Sequence, residues 1–156
     1  MHDNAATIQR FYHAFAQRDA EGMAACYAPD VHFSDPVFPD LHGSDAGDMW
    51  RMLCEAGKDL QIRSSNITAD DTHGTAHWDA DYTFSATGRF VNNRIDAQFT
   101  FREGLIVRHV DTFDFYAWTR MALGPAGLLL GWTPLLRKKV RAQAAKGLSK
   151  WKADHA

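Results

Sequence analysis

Apolar residues recur at helical spacing through the first third of the chain and then change to a period of two. Ile8, Phe11, Tyr12 and Phe15 fall on one face of an amphipathic helix over residues 4–18, with Asn4 available as its cap. A second short helix is expected from Asp19, carrying Met23, Cys26 and Tyr27 on one side and ending by Pro29, since a residue before proline is pushed out of helical geometry. Val31 to Asp35 alternates as a short strand that stops at Pro36. A third helix begins at Ser44 or Asp45, turns Met49, Trp50, Leu53 and Cys54 inward, and ends at Gly57.

From Asp59 to Tyr116 the period is two. Leu60 to Arg63 opens a strand, and 70–74, 87–89 and Glu103-Gly104 are turn clusters. Trp78, Ala80, Tyr82 and Phe84 alternate with polar residues, and Ile95 to Phe101 and Leu105 to Phe115 form two further strands. On the last of these, Val107, His109, Asp111, Phe113 and Phe115 share a face. Helices followed by hairpin-connected strands imply an α+β fold, with helices packed on one face of a mostly antiparallel sheet. After the Gly/Pro break at 123–127, Leu136, Val140, Ala144, Leu148 and Trp151 form the apolar stripe of a basic amphipathic helix. The expected division is therefore a domain over residues 1–120 and a C-terminal helical extension over 121–156 packed on it.

A chain of 156 residues is long enough to bury a core without disulfide staples. Cys26 and Cys54 are then two buried thiols of a cytoplasmic protein, since the N-terminus has neither the basic nor the apolar run of a secretory signal. Charge is uneven: residues 117–156 hold eight Lys+Arg against one acid, and residues 1–116 hold nine against eighteen. The acidic body argues against nucleic acid as a partner. The basic tail suggests a weak membrane-surface contact as an alternative to packing on the body. The histidines, including His32, His42, His73 and His77, lack metal-ligand spacing, so no metal is expected. No phosphate loop or nucleophile elbow is present.

Thr7 to Phe11, Asp19 to Gly22, Tyr27 to Val31, Phe33-Ser34-Asp35-Pro36-Val37 and Gly104 to Asp111, in this order and spacing, resemble the nuclear-transport-factor-2-like superfamily, and within it the SnoaL-like and ketosteroid-isomerase-like groups. The resemblance implies a cone whose curved sheet and N-terminal helices enclose a pocket for a small hydrophobic molecule, without cofactor, and frequently a homodimer. It places Asp35 where ketosteroid isomerases carry their carboxylate base. The isomerases' oxyanion tyrosine and donor acid fall on Phe11 and near Ala97, so that arrangement is not reproduced. The SnoaL-like cyclases' acid/base position falls on Asp111, with His109 and Tyr82 as neighbours able to share a proton or donate a hydrogen bond. Phe11, Phe15, Trp50, Trp78, Phe99, Phe101 and Phe113 are the expected pocket wall. Three functions stay open: an isomerase, cyclase or lyase acting on a carbonyl compound, a non-catalytic protein that binds a hydrophobic metabolite, and an interaction module whose basic C-terminal helix is the working part. The structural alternatives are an Asx-turn at Asp35, a hydrogen-bonded core pair at His109 and Asp111, and a core role for the aromatic set.

Overall fold

The computed structural model describes residues 2–156, in the order α1 (Asp3–Ala16), α2 (Ala20–Ala24), β1 (Tyr27–Ser34), β2 (Leu41–His42), α3 (Ser44–Ala56), β3 (Gln61–Ala69), β4 (His73–Phe84), β5 (Arg89–Arg102), β6 (Leu105–Thr112), α4 (Phe115–Leu123), α5 (Pro125–Leu130) and α6 (Pro134–Asp154). The strands form one six-stranded sheet in the order β2-β1-β6-β5-β4-β3. Every neighbouring pair is antiparallel except β1 with β6. The α+β fold expected from the change of period is thus the fold observed, with one parallel pairing that periodicity cannot reveal.

Helix α1 lies over the sheet because its Ile8, Phe11, Tyr12 and Phe15 are all buried, against Trp78, Phe99 and their neighbours. Its cap is His2, whose ring nitrogen accepts the Asn4 N–H at 3.0 Å. Asn4, expected as the cap, instead sends its side-chain amide to the carbonyls of Asp70 and Asp71, tying the helix start to the β3–β4 turn. At Gly74 the helix comes so close that an added Cβ would stand 2.7 Å from Ile8 Cδ1. Between β5 and β6, Glu103 and Gly104 both take positive φ, the backbone that a two-residue hairpin of primed type requires.

Two expected boundaries move, and two residues face the other way. Tyr27 opens β1 rather than closing α2, and the register of β1 against β6 shifts between Tyr27 and His32, where Pro29 has no N–H to give to the ladder. Leu53, expected inward, is on the exposed side of α3. Strand β6 ends at Thr112, because Asp114 caps α4 through its carboxylate, which accepts the Ala117 N–H at 3.0 Å. Phe113 and Phe115 therefore leave the strand face on which alternation placed them. A register shift between Thr100 and Phe101 also brings Ile106 inside in place of Val107.

The C-terminal helices close one end of the cone. Val91, Phe115, Trp118 and Ala122 make a second apolar cluster, with Val37, Tyr82, Phe113 and Val140 packed against it. Along α6, Leu148 is buried in the main core, Ala144 packs beside it, and Arg141 donates to the Pro36 carbonyl at 2.8 Å. Lys152 pairs with Asp45 on α3, and the Trp151 indole donates to Glu55. Among the described residues no helix is long and apolar enough to cross a membrane. Cys26 and Cys54 are free, buried thiols, and burial pushes the Cys54 thiol up to about 11.

Candidate functional site

The inner face of β6 carries a polar pair in an aromatic interior. His109 and Asp111 are 0% and 2% exposed, and His109 Nε2 lies 2.8 Å from Asp111 Oδ1. Alternation along the strand sets them on one face, two residues apart. On the other side of the imidazole, Nδ1 lies 2.7 Å from the Tyr27 hydroxyl, which accepts the Trp50 indole N–H at 2.9 Å. The Trp78 indole adds a longer bond of 3.4 Å to Asp111 Oδ1.

Donor and acceptor counting assigns the protons in this chain. Trp50 can only donate, so it occupies one lone pair of the Tyr27 oxygen, and the Tyr27 O–H points at Nδ1. The ring is then neutral with its proton on Nε2, donated to the Asp111 carboxylate. An imidazolium would instead leave the Tyr27 O–H without an acceptor, at the cost of a buried unsatisfied donor. Two buried polar atoms remain unpartnered among the described residues, the Tyr12 hydroxyl and Asp111 Oδ2. Burial foremost, and then the charge of Asp111, push the Tyr12 phenol well above its ordinary range, as expected of a hydroxyl facing the same carboxylate.

Asp35 follows the last residue of β1. Its Oδ1 accepts the N–H groups of Val37 at 2.8 Å and Phe38 at 2.6 Å, while its own N–H donates to the Phe38 carbonyl. This is the expected Asx-type turn, and it fixes the carboxylate with its second oxygen free of protein donors among the described residues. Desolvation is the main reason that the pKa of Asp35 is pushed up to about 7, and the negative charge of Asp111 adds to it. The Phe38 and Val37 N–H groups and the Arg141 guanidinium oppose the rise.

Tyr82 stands on the inner face of β4 with its oxygen accepting the Trp118 indole N–H at 2.8 Å. Burial raises its pKa, and Asp35 raises it further, which places this hydroxyl in the field of that carboxylate. Its O–H proton has no protein acceptor among the described residues, so a donor is left facing the Asp35 end of the cone.

Four expected polar residues are therefore distributed over two linked places: His109 and Asp111 in the interior, Asp35 and Tyr82 at the end covered by α4 and α6. The expected aromatic wall is placed differently. Phe11, Phe15, Trp50, Trp78, Phe99 and Phe101 are buried and stack on one another and on His109, so they fill the interior as core. Phe113 is half-buried between the two apolar clusters. An open groove of about 860 Å³ runs beside α1 past Arg10, Tyr12 and Cys26, and another of about 610 Å³ lies where Phe113 and Phe115 meet Trp132 and Arg137. Neither is lined by Asp35 or Asp111.

Sequence reasoning missed Tyr27 and Trp50 as parts of the polar chain. Tyr27 was hidden by its assignment to α2, and Trp50 by its apolar helix face. Ala97, where the resemblance put a donor acid, is the direct cross-strand partner of Asp111. A carboxylate does reach this level of the sheet, from the neighbouring strand.

A family model described as the SnoaL-like domain matches residues 8–109. No curated protein sequence matches the chain significantly. Among solved structures, an NTF2-like protein of unknown function from Burkholderia pseudomallei superposes with a TM-score of 0.68 at 22% identity, covering 78% of this chain and 98% of that one. A candidate polyketide cyclase from Xanthomonas campestris pv. campestris gives 0.67 at 22% identity, over 76% and 96%. An LEH-like epoxide hydrolase from M. tuberculosis gives 0.64 at 17% identity, over 82% and 96%. At such identities the structural likeness concerns the fold alone, and the match over residues 8–109 carries the assignment: this chain belongs to the SnoaL-like domain family and has the NTF2-like fold.

Proposed function

We propose that the protein is a cofactor-independent acid–base enzyme acting on a small hydrophobic carbonyl compound, with Asp35 as the group that exchanges the proton. The observation that carries this reading is a half-buried carboxylate fixed by two turn N–H groups, with a pKa raised to about 7, whose field reaches the Tyr82 O–H. A base that titrates near the working pH is populated in both forms, which suits isomerase, cyclase or lyase chemistry in turn. Asp35 takes a proton from the carbon next to the carbonyl, and the Tyr82 O–H donates to the enolate oxygen that develops. Trp118 keeps the Tyr82 oxygen oriented. Asp111 acts from the interior, holding His109 in one tautomer and keeping a negative charge behind Asp35. Residues 121–156 serve the same domain as its cover. The names of the cyclase and epoxide hydrolase neighbours are consistent with small-molecule chemistry on this fold.

The test is exchange of α-protons for deuterium in a panel of cyclic ketones and β-keto esters, followed by NMR. Catalysed exchange by the native chain, lost in Asp35→Asn, supports the proposal. Saturable ligand binding with exchange no faster than buffer would leave the binding-protein reading in its place.

A second observation bears on where such a substrate is met. Leu128, Leu129, Leu130, Trp132 and Leu135 are each more than half exposed at the α5–α6 corner, and Arg137, Lys138 and Lys139 follow directly. An apolar projection with an adjoining cationic turn complements an anionic lipid surface, and Trp favours the interface itself. The groove at this corner includes Phe113, which also touches the cluster around Tyr82. We infer that this corner rests on anionic bilayers. Co-sedimentation with phosphatidylglycerol vesicles that is lost in Leu129→Glu/Trp132→Glu supports this. Equal recovery with phosphatidylcholine alone, or concentration-dependent dimerisation through the same residues, counts against it.

A further inference from the structure

At the β2 edge of the sheet, on the strand that leads into Asp35, the fold gathers metal-ligating side chains that sequence spacing had not connected. Strand β2 is only two residues long, yet its pairing with β1 makes His42 the direct Cα partner of His32. The two imidazoles lie face to face with centroids 4.5 Å apart and planes inclined by 29°. Asp40, just before β2, directs one oxygen between them: Oδ1 is 2.7 Å from His32 Nε2 and 2.8 Å from His42 Nε2. The three donor atoms all lie within 4.8 Å of one another.

As a purely protonic cluster the arrangement is awkward. Each Nε2 must carry a proton to bond the same carboxylate oxygen, and charging both rings would stack two cations face to face. A divalent ion bound tetrahedrally at about 2.1 Å from each atom would hold its nitrogen and oxygen donors roughly 3.4 Å apart, about 0.6 Å more than the separations found, an opening that the exposed Asp40 and His42 side chains can make. Two imidazole nitrogens and one carboxylate oxygen form a borderline donor set, suited to zinc and its neighbours and too nitrogen-rich for calcium or magnesium. His42 and Asp40 are mostly exposed, so the remaining coordination positions open to water.

We propose that His32, Asp40 and His42 form a binding site for a zinc-class divalent ion. The ligands bracket residues 33–39, the segment whose turn at Val37 and Phe38 fixes Asp35. An ion there closes both ends of that segment and restricts the turn, much as a cross-link restrains a loop. Its role is positional, and its existence does not depend on what Asp35 does chemically.

The experiment uses the full chain, stripped with chelator and titrated calorimetrically with Zn²⁺ and, separately, with Mg²⁺. Co²⁺ absorption and thermal unfolding are followed in parallel. The expected result is one Zn²⁺ per chain, no response to Mg²⁺, a visible Co²⁺ spectrum with nitrogen ligands, and a raised unfolding midpoint. His32→Ala, His42→Ala and Asp40→Asn should each weaken binding by more than about ten-fold, the loss commonly seen when only an outer support of a ligand is removed. His77→Ala should bind as the native chain does, although His77 also sits between two carboxylates, those of Asp79 and Asp96. Because two of the three ligands are exposed, the metal-free variants should unfold at the native chain's metal-free midpoint. Undiminished Zn²⁺ binding in His42→Ala, or no binding at about 1 mM Zn²⁺, would overturn the proposal.

Discussion

The imidazole of His109 and the carboxylate of Asp111 are joined at 2.8 Å inside the sheet, and the ring's other hydrogen-bond partner among the described residues is the Tyr27 hydroxyl at 2.7 Å. The pair is closed at the histidine end and open at the aspartate end, where Oδ2 has no protein donor among the described residues. A group present only for structure would be expected to finish its hydrogen bonds, since a buried unsatisfied atom costs about 1–3 kcal/mol. The Tyr12 hydroxyl, also unpartnered among the described residues, lies in the field of this carboxylate, whose charge adds to burial in raising the phenol.

Replacing Asp111 separates these roles. Asp111→Asn retains an oxygen for His109 Nε2–H and should fold, with turnover reduced by about 10²–10⁴ if the charge is needed in the reaction. Asp111→Ala leaves the His109 and Trp78 donors unpaired and should lose about 1–3 kcal/mol of stability by urea unfolding. Equal stability of the alanine variant and the native chain would show that this hydrogen-bonded chain does not hold the core.

Asp35 should make the fold less stable as pH rises. Its folded pKa, about 7, is above the ordinary value, so the folded state holds the proton more tightly than the unfolded chain. Between pH 4 and 7 the unfolded state loses this proton first, and stability falls through that window and then levels. Asp35→Asn cannot titrate. Its unfolding midpoint should equal that of the native chain near pH 4 and exceed it at pH 8, and a difference independent of pH would contradict the raised pKa.

Tyr82→Phe removes the proposed oxyanion donor together with the acceptor for the Trp118 indole. The expected kinetic loss is about 10²–10³ in kcat. Trp118→Phe removes the orienting bond and part of the indole's packing in the second apolar cluster, and it should keep most of the activity while costing about 1–3 kcal/mol of stability. If the two variants lose activity equally, orientation of the tyrosine rather than its proton is what matters.

Much of this arrangement can be read from the amino-acid order. The shift from helical spacing to alternation at Asp59 marks the sheet, and alternation alone sets His109 and Asp111 together on the buried face of β6. What alternation cannot see is a local break in it. The irregularity at Thr100 and Phe101 exchanges Val107 for Ile106, and the Asp114 cap converts Phe115 from a strand residue to a helix start. Long-range pairing is equally hidden. The parallel contact of β1 with β6 brings Tyr27 to His109, and a two-residue β2 brings His42 to His32, neither of which carries a periodic signal.

Gly74 offers a test of how α1 is seated. A Cβ there would meet Ile8 Cδ1 at 2.7 Å and the Phe101 ring at 3.1 Å, and the Thr68 carbonyl, at 3.1 Å, is backbone that cannot turn aside. Gly74→Ala should therefore cost about 1–3 kcal/mol through overpacking. The loss should be recovered in part by Ile8→Val, which removes the methyl at the clash. A stabilising Gly74→Ala would mean that the helix sits farther from the sheet.

Two charges flank Asp35 and act on it in opposite directions, which allows its environment to be tested without altering the carboxylate itself. Burial is the main cause of its raised pKa; Asp111 adds to the rise, and Arg141, anchored to the Pro36 carbonyl, subtracts from it. Removing the negative charge with Asp111→Asn should move the Asp35 titration toward lower pH, and removing the positive charge with Arg141→Gln should move it toward higher pH. Both shifts should appear in the NMR titration of the Asp35 carboxyl carbon, and the same displacement should follow in the acid limb of any pH–rate profile. Truncation before Pro134 removes Arg141 and also uncovers this end of the cone. Relief of desolvation, the larger effect, then outweighs the lost cation, and the titration should move down rather than up. Were the truncated chain to titrate like Arg141→Gln, α6 would be a charge carrier and not a cover, and the proposed acid–base group would owe its pKa to its neighbours instead of to burial.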